Sequence, residues 1–466
     1  MLFNTPEYLI FFLVVLALSW ATVGWPRLRI WVLLLGSYYF YASNNHWLIL
    51  LLIGTTHIDW LAGLYISRTN DPRVRKLWLA ASMSLNVGLL AYFKYVNFFA
   101  SSASALAQHL GLHLGWVDLN VILPVGISFY TFQSMTYTID VYRRVIPAET
   151  SWYRFAFFVA YFPHLIAGPI VRASVFLHQI RETPRLDAEA LDEALMRIFR
   201  GLFKKVVLAD FLARYADQAF SDPAGGGALL AWVGMYAFCF QIYYDFSGYT
   251  DLALGCARLM GFKLSENFNL PYAAGSFSDF WRRWHMTLSE WLRDYLYIPL
   301  GGSRTGSGAR NLANLLLTMM LCGLWHGAAW TFVFWGTLHG LLLVAERARG
   351  RNRDRAPAPV WRSLVMLHLV ALTWLPFRAK DFGNLVDYCR ALLAGGAGQP
   401  LTVGMLAVLA ICALGWLSQH LAARHRLRHA FLALPLPVRA GAYALCWALV
   451  LVFNSGGAKS FIYFQF

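Results

Sequence analysis

The feature that most limits how this chain can fold is a succession of apolar stretches separated by short gaps: 8–23, 29–42, 47–65, 77–97, 118–138, 206–220, 229–250, 311–324, 328–345, 359–377, 402–421 and 440–454. Stretches of about 17–25 apolar residues satisfy their backbone hydrogen bonds within a bilayer by forming membrane-crossing helices. Of the 466 residues only 14% are Asp, Glu, Lys or Arg, while 58% are hydrophobic and 16% aromatic. Soluble domains carry about a quarter charged residues. The fold class is therefore an all-α polytopic membrane protein. A soluble enzyme, a disordered chain and a charge-rich coiled coil are excluded. The six cysteines form no CxxC pair, which argues against a disulfide framework or zinc knuckle and leaves them as buried small hydrophobes.

The formal charge of +15 does not point to nucleic acid, because the basic residues lie between apolar stretches rather than on one soluble segment. They read as orientation signals and anion contacts, including membrane lipids. With the N-terminus outside, Arg27, Arg29, Arg68, Arg73, Arg75, Lys76, Arg143 and Arg144 fall on the cytoplasmic side, and the loops 43–46 and 98–117 carry no Lys or Arg. That alternation holds only if 152–171, interrupted by Pro163, Gly168 and Pro169, dips into the membrane and returns. Broken backbone at membrane depth is tolerated where protein or a water-filled cavity surrounds it. Residues 1–7 lack a basic region, so the first span is expected to be retained rather than cleaved. The whole chain, 1–466, reads as one integral domain, with 346–358 its most linker-like piece.

Chemistry concentrates in a few stretches. In SFSDFWRRWHMTLSEWLRDYLYIPLGG, residues 276–302, Ser276 and Asp279 form a capping pair at the start of an expected helix. Trp281, His285, Leu288 and Leu292 recur on one face, and Arg282, Arg283 and Arg293 stand near the ends. This content suits an interfacial helix whose arginines meet anions. In LCGLWHGAAWTFVFWGTLHG, residues 321–340, His326 is an ionisable group between two apolar runs. Such a group serves a site or ties the bundle together by a hydrogen bond. Gly323 and Gly327 allow close approach of backbone or substrate, and Trp325 and Trp330 wall a passage. His339, 13 positions on, falls on a different face. No HxxxH pair joins the histidines, so no metal is expected; Cys322, one turn before His326, reads as packing. In QIYYDFSGYTD, residues 241–251, Asp245 and Asp251 carry protons, cap a turn or pair with Lys or Arg. The broken segment adds His164 and Arg172.

Taken together, PVGISFYTFQSMTYTIDVYR (124–143), YFPHLIAGPIVR (161–172), YYDFSGYTDLALG (243–255), ENFNLPY (266–272), FWRRWHMTLSEWLRDYLYIPLGG (280–302) and LWHGAAWTFVFWGTLHG (324–340) resemble the membrane-bound O-acyltransferase (MBOAT) family. Within it they look most like the bacterial alginate O-acetyltransferase branch, in order from the first span to the FIYFQF ending. The resemblance implies roughly 11–13 transmembrane helices with re-entrant and interfacial helices around a central funnel or tunnel, and a catalytic core near 120–345. The family's two histidines map onto His285 and His326, the latter the one usually assigned to catalysis. Arg282, Arg283, Trp284, Trp325, Asn267, Asp245 and Tyr249 are expected at the donor site or tunnel. The implied activity moves acetyl from a cytoplasmic thioester, acetyl-CoA, across the bacterial inner membrane to partners resembling serine esterases, which acetylate an exported polysaccharide. No permanently bound cofactor and no nucleic acid are expected. Alginate is the first acceptor, with peptidoglycan or cellulose the alternatives. A membrane scaffold or an acyl-group transporter would share the spans, the scaffold without needing both histidines.

Overall fold

Apolar runs bounded by capping residues and prolines become helices throughout. Thr5 caps Pro6–Ala21, Asp71 caps Pro72–Leu90, Asp381 caps Phe382–Leu393 and Thr402 caps Val403–Ala422, each side-chain oxygen accepting a first-turn backbone N–H. The computed structural model describes the chain except residues 2, 45, 113–114, 116–117, 120, 167, 305, 351–357, 395–399, 424–429, 432, 454–460 and 462–466. Most of the linker-like piece, and the FIYFQF ending apart from Phe461, lie outside the described residues. Among the described residues the regular secondary structure is all helical, with no strand. Among the described residues six helices are long and apolar enough to cross a membrane: Leu48–Arg68, Pro72–His109, Pro223–Leu259, Val360–Arg378, Val403–Ala422 and Leu436–Phe453. The protein is a multi-pass membrane protein. Other expected spans are shorter or more polar helices, such as Pro6–Ala21 and Pro26–Ala42.

The described residues group into two compact units, one of 1–195 with 253–265, the other of 196–252 with 266–466. In the first, polar side chains tie helices together where lipid offers no alternative partner. Asp59 of Leu48–Arg68 is fully buried and accepts from Ser82 Oγ at 2.6 Å and Asn86 Nδ2 at 3.0 Å on Pro72–Leu90. Ser82 reaches Thr138 of Ile127–Tyr142 at 3.2 Å, so three helices share one cluster. The expected re-entrant stretch is broken and buried: Trp152–Ala160 ends at Tyr161, Phe162–Leu165 forms one turn, and an extended piece leads to Ala173–Ile180. Gly168 folds over that turn, where a Cβ would lie 2.4 Å from His164 Cα.

Two expectations are corrected. The uncharged stretch 98–117 is not a loop from its start: Pro72–Leu90 continues through a π-turn, Ala91–Tyr95, into Val96–His109. Its Ala/Ser-rich sequence lacks lipid-grade hydropathy, yet no Gly or Pro breaks it before Gly111. The stretch 276–302 is not one interfacial helix. It forms Phe277–Trp281, a turn, Met286–Leu292 and a π-turn Arg293–Tyr297. Trp281, Trp284, Leu288 and Trp291 are buried against protein rather than laid in headgroups.

Candidate active site

The second unit brings two histidines together by two different local devices. Gly308–His326 and Trp330–Ala348 form a tight helical hairpin. A Cβ at Gly323 would stand 2.2 Å from the Phe332 carbonyl, and one at Gly336 2.3 Å from that of Met319. Only glycine lets these backbones touch. Gly327 likewise faces the Phe332 ring. The expected close approach is therefore made here by protein backbone and an aromatic ring. His326 ends the first helix, buried, with Trp335 of the returning helix 5.3 Å away between ring centres.

His285 is presented by a strained turn. Its backbone is left-handed, φ 43° and ψ 54°, a conformation costing a non-glycine residue about 1–3 kcal/mol unless its surroundings hold it. The hold comes from 267–269. Asn269 N donates to Arg283 O at 2.9 Å and Met286 N to Asn267 O at 2.9 Å. The Asn267 side chain then sets the imidazole. Its Oδ1 accepts from Thr287 Oγ1 at 3.0 Å and from the Thr287 backbone N–H at 3.4 Å. A backbone N–H can only donate, which orients the amide with oxygen inward. His285 Nδ1, 3.0 Å from that same oxygen, must therefore carry the proton, leaving the lone pair on Nε2.

The rings of His285 and His326 lie 6.4 Å apart. Trp325 bridges them at 6.0 and 5.0 Å. Phe246 closes on His285 at 4.7 Å, Phe377 on His326 at 5.4 Å. Both histidines are buried, and removal from water pushes the His285 pKa below its ordinary value. A neutral imidazole in an aromatic, water-poor enclosure has a lone pair with which to take, and later return, a proton.

The remaining sequence-predicted residues divide. Asn267 and Trp325 join the histidine pair. Trp284 is fully buried one layer out, on Phe268 and Trp374 at 5.1 and 5.0 Å. Asp245 forms an ion pair with buried Lys205 at 2.9 Å, and Tyr249 lies under the same ammonium at 5.7 Å. Asp251 accepts from Arg200 Nε and Lys204 Nζ, each at 2.8 Å. Pairing with Lys or Arg is thus the use the structure makes of both carboxylates. Arg283 donates to Asp279 at 3.0 Å and to the Asn269 carbonyl at 3.3 Å, while Arg282 is half-exposed and 3.7 Å from Asp279. The Ser276–Asp279 cap forms as expected, at 3.0 Å. His339 Nδ1 accepts from the Trp281 indole at 3.3 Å. Trp335 packs on both His326 and His339, at 5.3 and 4.9 Å. Sequence reasoning missed Phe246, Phe377 and Lys205. Only Lys205 left a signal, a lysine heading an apolar run.

The geometry is thus a buried histidine pair, one imidazole fixed in its tautomer by an asparagine, inside a helical membrane protein. The chain belongs to the membrane-bound O-acyltransferase (MBOAT) family, whose model matches residues 86–381, and it is an acyltransferase. It is 42% identical over 403 residues, 86% of this chain and 76% of the relative, to the probable alginate O-acetylase AlgI of Pseudomonas aeruginosa. It is 34% identical over 429 residues, covering 84% of this chain and 80% of the relative, to the peptidoglycan O-acetyltransferase of Helicobacter pylori. Similarity extends to the teichoic acid D-alanyltransferase of Bacillus subtilis, 30% identical over 324 residues, 63% of this chain and 82% of that one. The homologues support membrane O-acetyl transfer.

Proposed function

We propose that the protein takes acetyl from acetyl-CoA at the cytoplasmic face of a bacterial inner membrane and delivers it for O-acetylation of an exported polysaccharide, alginate first. The observation that carries this reading is the buried pair His285 and His326, 6.4 Å apart. An acceptor hydroxyl loses its proton to His326 as its oxygen bonds to the thioester carbonyl carbon. The carbon–sulfur bond then breaks, and the proton passes to the departing thiolate. His285, its Nε2 lone pair directed by Asn267, positions or polarises the reacting groups. Trp325 walls the space between the rings, and Arg282 and Arg283 stand at the donor entrance. Asp245 and Tyr249 support the site through Lys205. Periplasmic partners resembling serine esterases receive the acetyl group and place it on the polymer.

Greater identity to the alginate O-acetylase than to the peptidoglycan enzyme, 42% against 34%, supports alginate; the latter similarity keeps peptidoglycan as the second reading. The test is transfer from radiolabelled acetyl-CoA added to inside-out vesicles containing the periplasmic acceptor, with wild type and His326→Ala compared at equal membrane content. Loss of label by about 10²–10⁴-fold is expected for removal of a general base. Equal labelling would overturn the assignment and move the chemistry to a partner.

A further inference from the structure

Behind the aromatic wall of the histidine site, the second unit holds a separate cavity of about 420 Å³ that the chemistry above leaves unused. Arg197, Arg200, Lys204, Thr250 and Gln419 are among its lining residues. Its cations outnumber its carboxylates: Asp251 serves both Arg200 and Lys204, and Glu266 serves Arg197. Gln419 is nine-tenths or more buried and makes one use of its amide, Oε1 accepting from Tyr272 N at 2.9 Å. Its Nε2 has no hydrogen-bond partner among the described residues, and neither has Thr250 Oγ1, also buried. Buried donors are rarely left unpaired, because desolvation costs them more than any packing returns. Here the two residues that carry such donors belong to the lining of a cavity with three cationic side chains.

We propose that this cavity binds a phosphoryl group, with Lys204 and Arg200 supplying charge and Gln419 Nε2 and Thr250 Oγ1 supplying the neutral hydrogen bonds. Arginine uses two of its five donors on Asp251, and lysine one of three, so both retain N–H groups for phosphate oxygens. The phosphoryl chemistry has two sources. One is the nucleotide end of the thioester donor, an assignment that rests on the acetyl-transfer reading. The other is an anionic lipid headgroup. The cavity touches Tyr243 and Phe268, and Phe268 packs at 5.0 Å on Phe246, the ring against His285. A phosphoryl group bound there is two aromatic rings from the histidine pair. This differs from the sequence-based placement of donor anions on Arg282 and Arg283, both of which lie close to Asp279.

The test uses the full chain purified in neutral detergent, with binding read directly rather than through activity. The probes are adenosine 3′,5′-bisphosphate for the nucleotide source and dioleoyl-phosphatidylglycerol, against dioleoyl-phosphatidylcholine, for the headgroup source. Gln419→Glu keeps an oxygen that accepts from Tyr272 and turns the unpartnered donor into an acceptor. Lys204→Gln removes a charge while leaving Asp251 its Arg200 partner. One probe is expected to bind the wild type and to lose about tenfold or more in each variant, with the thermal midpoint kept as a folding control. The probe that behaves so identifies the source. Binding of neither, or equal binding by wild type and both variants, overturns the proposal. His326→Ala is expected to bind as the wild type does. Failure of acetyl transfer with binding intact therefore refutes only the catalytic reading, and intact transfer without phosphoryl binding refutes only this one.

Discussion

Replacing Asn267 tests the claim that a single side-chain oxygen decides which nitrogen of His285 is the working one. Asn267→Leu is close in volume but removes the acceptor shared by His285 Nδ1 and Thr287 Oγ1, each 3.0 Å away. Besides the long 3.4 Å contact from the Thr287 backbone N–H, the two donors at 3.0 Å lose their partner, at about 1–3 kcal/mol each. A fall in folding stability of roughly 2–6 kcal/mol is expected from these two, less where the threonine hydroxyl rotates to another acceptor. The same loss releases the tautomer preference. A hydrogen bond of about 1–3 kcal/mol corresponds to roughly 5- to 150-fold in the ratio of the two neutral forms, and kcat is expected to fall within that range. The donor KM stays near its wild-type value, because Asn267 acts through His285 and touches no substrate in this scheme. Asn267→Asp separates this role from simple packing. Its carboxylate still accepts from Nδ1, so most of kcat is expected to return. The new negative charge raises the His285 pKa, which burial alone holds below the ordinary 6.5. The neutral imidazole is the active form, so activity in this variant is lost at a higher pH as the medium is acidified. The assay is acetyl transfer to the periplasmic acceptor across a pH series, paired with thermal denaturation. A folded Asn267→Leu protein with unchanged kcat would refute the reasoning, as would an Asn267→Asp profile superimposable on the wild type's.

Gly323→Ala places a methyl group 2.2 Å from the Phe332 carbonyl; forcing the hairpin apart should cost about 1–3 kcal/mol and lower transfer by displacing His326, measured by thermal midpoint and turnover together. In His339→Phe the Trp281 indole loses its acceptor, so stability should fall by about 1–3 kcal/mol while kcat of the folded protein is retained; a collapse of kcat without loss of fold would show that His339 takes part in the chemistry. In the wild type no acid limb in the ordinary imidazole range should come from His285, which burial holds neutral there; an acid limb near 6.5 that disappears in His285→Gln would contradict that.

Much of this molecule was legible from local sequence. Apolar runs under the constraint that lipid satisfies no backbone group can only become helices, which made the all-helical, multi-pass character unavoidable. The interruption of 152–171 by two prolines and a glycine marked a broken segment, and Ser276 with Asp279 marked a helix start. His326 stood out because an ionisable group between apolar runs is rare. Local pattern misled where helix propensity and hydropathy part company, as in the Ala/Ser-rich continuation to His109. It misled again where distant chain overrides propensity. The periodicity of 276–302 suits a single helix, but hydrogen bonds from 267–269 hold His285 in a left-handed turn and break it. Pairing of Asp245 with Lys205, the tautomer set by Asn267, and the facing of His285 and His326 depend on contacts between residues tens of positions apart. A sequence carries the residue types for such contacts but not their distances, because packing selects one of many possible partners. The individual histidines are a property of the sequence, whereas their pairing belongs to the tertiary structure.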